Sequence, residues 1–112
     1  MKKLKGNKII SELFREGKKI NLFPLQIIYL VSKENAWGVS VSKNLFHLAV
    51  HRNKVKRLLR EGFKKNLLMH FNNFDKKYHF MILFHGNNIP SFDKLNSHFK
   101  KLANKTINIL SK

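Results

Sequence analysis

The chain has 112 residues, room for one hydrophobic core and not for two; 43% of them are hydrophobic and ten are Phe, more apolar material than a disordered basic tail carries. Lys and Arg number 23 against 6 Asp and Glu, a formal charge of +17, so the surface attracts polyanions and nucleic acid is the first partner to consider. The absence of cysteine excludes disulfides, thiolate metal sites and cysteine nucleophiles, and the cytoplasm is the expected location.

The start, Met1 to Lys8, is basic like the front of a signal peptide, but Ser11, Glu12, Arg15 and Glu16 interrupt the apolar run that should follow. No stretch approaches the ~20 apolar residues of a membrane span, so no membrane role is expected. Ile10, Leu13 and Phe14 recur at i, i+3 and i+4, and Gly17 supplies a stop, which predicts a short amphipathic helix over 7–16. Leu25 to Val31 is β-rich and follows Pro24, which predicts a strand, with Ser32 to Asn35 as a turn. In the next strand Trp37, Val39 and Val41 alternate with Gly38, Ser40 and Ser42, giving one bulky face and one small face open to something large.

Val55, Leu58, Leu59, Gly62 and Phe63 form a helical stripe within 51–70 that must pack on the sheet. Tyr78 to Phe84 is apolar on both sides and reads as a strand buried between layers. Ser91 as N-cap and Asp93 in the first turn open a final helix with Phe92, Leu95, Phe99, Leu102, Ala103, Thr106 and Leu110 on one face. The order helix, strand, strand, helix, strand, helix, with no linker or repeat, predicts one α+β layered domain over 1–112.

Only four of the basic residues are arginine, and three of them, Arg52, Arg57 and Arg60, stand close together in a chain that elsewhere uses lysine. The planar guanidinium fork suits phosphate oxygens. Asn53, Arg57, Arg60 and Lys64 are spaced 4, 3 and 4, one ridge opposite the Val55/Leu58/Leu59/Phe63 stripe, with Lys54 and Lys56 flanking it. Such a helix anchors with one face and presents cations with the other; Asn53 adds a neutral donor and acceptor for a sugar or base edge.

The segment Gly38-Val39-Ser40-Val41-Ser42-Lys43, followed by Ala49-Val50-His51-Arg52-Asn53-Lys54-Val55-Lys56-Arg57-Leu58-Leu59-Arg60-Glu61, closely resembles the signature of bacterial ribonuclease P proteins. The resemblance extends more weakly over nearly the whole chain, including Phe14-Arg15-Glu16-Gly17 at the end of the first helix. It implies a two-layer α/β sandwich with a central sheet, like domain 2 of ribosomal protein S5, in which the basic helix enters by a left-handed βαβ crossover, an exception to the usual right-handed rule.

The resemblance also implies a single RNA-binding domain that assists endonucleolytic removal of the 5′ leader from precursor tRNA. Its implied partners are the catalytic RNA, bound 1:1, and the leader itself, and no DNA. Mg²⁺ is expected to be held mainly by the RNA. By the same resemblance Arg52, Asn53, Lys54, Lys56, Arg57, Arg60 and Lys64 face the RNA subunit, and a cleft between the first helix and the sheet takes the single-stranded leader. Phe14 matches an aromatic position of that helix and Tyr29 is the nearest match on the first long strand; Ser40, Ser42 and Lys43 end the neighbouring strand at the same surface.

Three departures stand out: Lys54 replaces the motif's second arginine, Ile10 stands where a second aromatic is common, and the approach Leu45-Phe46-His47-Leu48 is one residue longer. Charge survives at Lys54, but bidentate phosphate contact does not. His47 and His51 are four apart, yet no third ligand accompanies them, so no metal site is expected. The six acids, Glu12, Glu16, Glu34, Glu61, Asp75 and Asp93, are scattered, which leaves the protein without catalytic residues of its own and assigns the chemistry to the RNA. The alternative is a ribosomal or other structural RNA-binding protein with no role in cleavage.

Overall fold

In the computed structural model, which describes residues 2–111, Lys2–Lys3 form strand β1, Asn7–Glu16 helix α1, Lys18–Leu22 β2, Leu25–Ser32 β3, Ala36–Val41 β4 and Ala49–Asn66 helix α2. A 3-10 helix over Leu68–Asn73, strand β5 over Lys77–Phe84 and helix α3 over Phe92–Leu110 complete the order. The expected helices and long strands are present. The additions are β2, with Ile20 its one fully buried residue, and the two-residue β1.

The strands pair in the order β1-β4-β5-β3-β2, with β3 antiparallel to β2 and β5, and β4 parallel to β5 and β1. A hairpin cannot join parallel neighbours, so the chain crosses from β4 to β5 through α2 and the 3-10 helix, and this crossover puts the basic helix on the sheet. Helix α2 ends at Asn66, not at 70 as the stripe suggested, because the tighter 3-10 turn carries Leu67 and Phe71 into the core.

Most of the core lies between α2, α3 and one face of the sheet, where Ile27, Phe80 and Ile82 meet Val55, Leu59, Phe63, Leu95, Phe99 and Leu102. Phe63 stacks on Trp37 with centroids 4.4 Å apart, and Phe71 on Phe80 at 4.9 Å. Each such pair adds ~0.5–1.5 kcal/mol beyond its buried area. Asn66 Nδ2 donates to Gly62 O at 2.8 Å and to Asn96 Oδ1 at 2.7 Å, tying α2 to α3. Ser91 caps α3 as expected, its hydroxyl accepting from Lys94 N. On the other face a smaller cluster, Leu13 with Ile28 and Met81, seats α1 as a partial outer layer.

Candidate nucleic-acid interface

Burial of Val55, Leu59 and Phe63 fixes which way α2 faces, and the cations follow from it. Asn53, Lys54, Arg57 and Lys64 are exposed, while Lys56 and Arg60 are half-buried. Arg60 reaches the sheet edge, sharing a 140 Å³ cleft with Lys3, Trp37 and Val39, so the ridge continues onto β1 and β4. Arg52 has a different task. Its Nη1 donates to Phe46 O and His47 O, both at 2.8 Å, and holds the loop before α2, which leaves Nε and Nη2 as donors for an outside acceptor.

The sheet face under α1 is organised by register. Ile28, Met81 and Gly38 form one row beneath Leu13. The next row runs Asn21, Gln26, Leu83 and Ser40 across β2, β3, β5 and β4. Gln26 Nε2 donates to Asn21 Oδ1 at 2.7 Å, and His85 Nε2 meets Gln26 Oε1 at 2.9 Å, where the amide oxygen accepts and the ring nitrogen carries the proton.

On α1, Ile9 and Glu12 lie on one flank of Leu13 and border a cleft of about 800 Å³ with Leu30, Ser32 and His79. At 3.6 residues per turn, Ile10 and Phe14 fall on the opposite flank, toward the polar row. Phe14 is 39% exposed beside a fully buried Leu13, and helix spacing turns it toward the polar row, so ring and row together make the candidate groove. Ser40 is half-buried within that row; Ser42 and Lys43 are exposed just past the end of β4, with the Ser42 hydroxyl accepting from Asn44 N at 3.1 Å.

Tyr29 does not join this groove. Its register partners are Lys18 and Phe80, and its ring packs on Tyr78 at 5.8 Å and Phe80 at 6.3 Å, on the face that carries α2 and α3. There it lines a separate 360 Å³ cavity with Lys18, Lys76 and Ile109. The expectation that Phe14 and Tyr29 share one cleft is therefore corrected: strand parity gives the α1-facing position to Ile28. In the same cavity burial pushes the Tyr78 phenol above its ordinary 10.0, with nearby Tyr29 and Asp75 adding to the shift.

Asn21, Gln26 and His85 went unnoticed in the sequence. The available signal was the Phe23-Pro24 turn, since a two-residue hairpin that pairs Leu22 with Leu25 must pair Asn21 with Gln26. Among the described residues no three His, Asp or Glu side chains gather in a way that could hold a metal ion, and no helix is long and apolar enough to cross a membrane.

Comparison with known proteins agrees with this architecture. Solved ribonuclease P proteins superpose along the chain: that of Staphylococcus aureus with a TM-score of 0.75 at 20% identity, covering 100% of this chain and 99% of that one. That of Thermotoga maritima gives 0.63 at 20% identity, covering 99% and 96%. At that identity they speak for the fold alone. In sequence, a ribonuclease P protein component of Clostridium botulinum is 34% identical over 113 residues, covering 98% of this chain and 92% of its own. One from Porphyromonas gingivalis is 40% identical over 62 residues, covering 51% of this chain and 45% of its own length. The sequence profile of the family described as Ribonuclease P matches residues 1–107, and with that the chain belongs to the ribonuclease P protein family.

Proposed function

We propose that the chain acts as the protein subunit of ribonuclease P, bound 1:1 to a catalytic RNA, and assists removal of the 5′ leader from precursor tRNA in the cytoplasm. The observation that carries this reading is the pairing of two RNA-compatible surfaces on one small domain: the exposed cationic ridge of α2, and the open polar row walled by Phe14.

The ridge binds the RNA subunit. Each phosphate that it neutralises releases condensed counterions, so affinity is high and strongly salt-dependent. Arg57 and Arg60 supply guanidinium forks, Lys54, Lys56 and Lys64 point charges, and Asn53 a neutral donor and acceptor. The groove holds the leader. A base stacked on Phe14 gains ~1–3 kcal/mol whatever its identity, and Asn21, Gln26 and Ser40 offer hydrogen bonds that do not demand one sequence. Holding the leader raises affinity for precursor over mature tRNA.

Mg²⁺, held mainly by the RNA, supplies charge neutralisation and the activated water that phosphodiester hydrolysis needs. The protein's positive charge works beside it, reducing repulsion among crowded phosphates so that less Mg²⁺ suffices. The test is cleavage of a leader-bearing precursor tRNA by a ribonuclease P RNA at low Mg²⁺, with and without the protein. Cleavage at the mature 5′ end that requires both supports the reading; RNA binding without cleavage replaces it with a structural RNA-binding role.

A further inference from the structure

At the start of α2 lies a cleft that neither the ridge nor the Phe14 groove uses. The loop before α2 and the loop after β5 border an open, shallow cleft of about 470 Å³, within the ~300–1,000 Å³ of small-ligand sites. Leu48, 58% exposed, and Ile89 give it apolar surface. His47, His51, Asn87 and Asn88 line the rest, and none of their side chains makes a hydrogen bond to another described residue.

One wall of the cleft is built rather than incidental. Arg52 Nη1 clamps the Phe46 and His47 carbonyls, and His51 N and Arg52 N donate to Leu48 O at 3.1 and 3.2 Å, so the wall is fixed to the helix that carries the ridge. The Arg52 guanidinium, held on the carbonyls of two lining residues, Phe46 and His47, with Nε and Nη2 left open, places a cation beside whatever enters.

Apolar surface ringed by unengaged donors and acceptors, on a surface of strong positive charge, complements a flat heteroaromatic ring whose sugar carries phosphate. We propose that this cleft is a subsite for one unstacked nucleobase of the RNA whose backbone follows the α2 ridge, an inference that rests on the ridge being an RNA interface. Asn87 and Asn88 each offer both a donor and an acceptor, and the two imidazoles offer ring faces, so the subsite takes bases of more than one kind.

The test is a titration of isotope-labelled full-length protein, followed by NMR, with two probes: a short single-stranded oligouridylate and an abasic ribose-phosphate oligomer of the same length. Ridge signals, Asn53, Arg57 and Lys64, respond to both probes. Leu48, His51 and the Asn88 side-chain amide respond to the base-bearing probe alone. In the double variant Leu48→Ser/Asn88→Ala, two exposed substitutions whose fold is checked by the dispersion of the same spectra, the oligouridylate binds about threefold to tenfold more weakly than to the native chain, as the loss of one hydrogen bond to the base requires.

Cleft signals that respond equally to both probes, or to neither while the ridge responds, overturn the subsite and leave the ridge standing. A ridge silent to both probes overturns the RNA interface and the subsite with it.

Discussion

Gly62 lies buried on the inner face of α2, and a methyl group there would stand 2.5 Å from Cε2 of Phe99 on α3. Ordinary carbon contacts are ~3.5–4.0 Å, so either the helices separate by roughly 1 Å or the ring leaves its rotamer. Phe99 is 0% exposed within the main core cluster, so its ring cannot relieve the contact by turning into solvent. Overpacking of this kind costs ~1–3 kcal/mol and an off-rotamer ring ~0.5–1.5 kcal/mol, while alanine returns about 1 kcal/mol of helix propensity.

With both costs incurred and the propensity gain subtracted, Gly62→Ala is expected to lose ~0.5–3.5 kcal/mol, and at ~4–8 °C per kcal/mol for a small domain its Tm falls by roughly 2–28 °C. The assay is thermal unfolding by circular dichroism, run also in a Phe99→Leu background, where the missing ring atoms let the methyl fit and the cost shrinks. A Gly62→Ala protein that melts at or above the native Tm, or that loses as much in the Phe99→Leu background, refutes close packing of α2 on α3. The ridge lies on the opposite face of α2, so the salt dependence of RNA binding by the folded variant stays that of the native chain.

Arg57→Ala should reduce the slope of log K against log salt by ~0.7–0.9, measured by fluorescence anisotropy with the RNA subunit; an unchanged slope removes Arg57 from the phosphate contacts. Arg52→Ala frees the carbonyls of Phe46 and His47, costs ~1–3 kcal/mol, and should speed amide exchange through residues 43–48. Ser91→Ala deletes the N-cap bond to Lys94 N and should lower stability by about 1 kcal/mol in urea unfolding. Tyr78, with its pKa raised above 10.0, holds its proton more tightly when folded. Its contribution is fully present below pH 10.0 and is lost as pH rises through the raised value, so the alkaline decline in stability should flatten in Tyr78→Phe.

Elements with strong local periodicity were legible in the chain: the Ile10/Leu13/Phe14 turn, the Val55 to Phe63 stripe and the Ser91 cap all stand where local spacing puts them. Strand β2 was not, because Lys18-Lys19-Ile20-Asn21-Leu22 buries only Ile20 and takes its shape from pairing with β3. The facing of Tyr29 was hidden for a related reason. Ile27 and Ile28 are both buried, one on each face, so Leu25 to Ser32 shows no alternation from which parity can be read, and partners far along the chain decide it. The ridge on α2 was legible as a set of cations, but the loop clamp made by Arg52 was not, since it depends on how the longer approach through Phe46 and His47 turns back on the helix.

Helix α1 is held to the sheet by one fully buried side chain, Leu13, and Gly6 gives its first turn no side-chain cap. Helices α2 and α3 are anchored by several buried residues each. A helix held by so little buried contact opens at lower free energy than α2 or α3, so α1 undocks before they do. Phe14 travels with it, and the groove that it walls has no fixed width. A bound leader favours the docked helix by as much as the docked helix favours the leader, and strand capture and α1 docking become one equilibrium seen from its two ends.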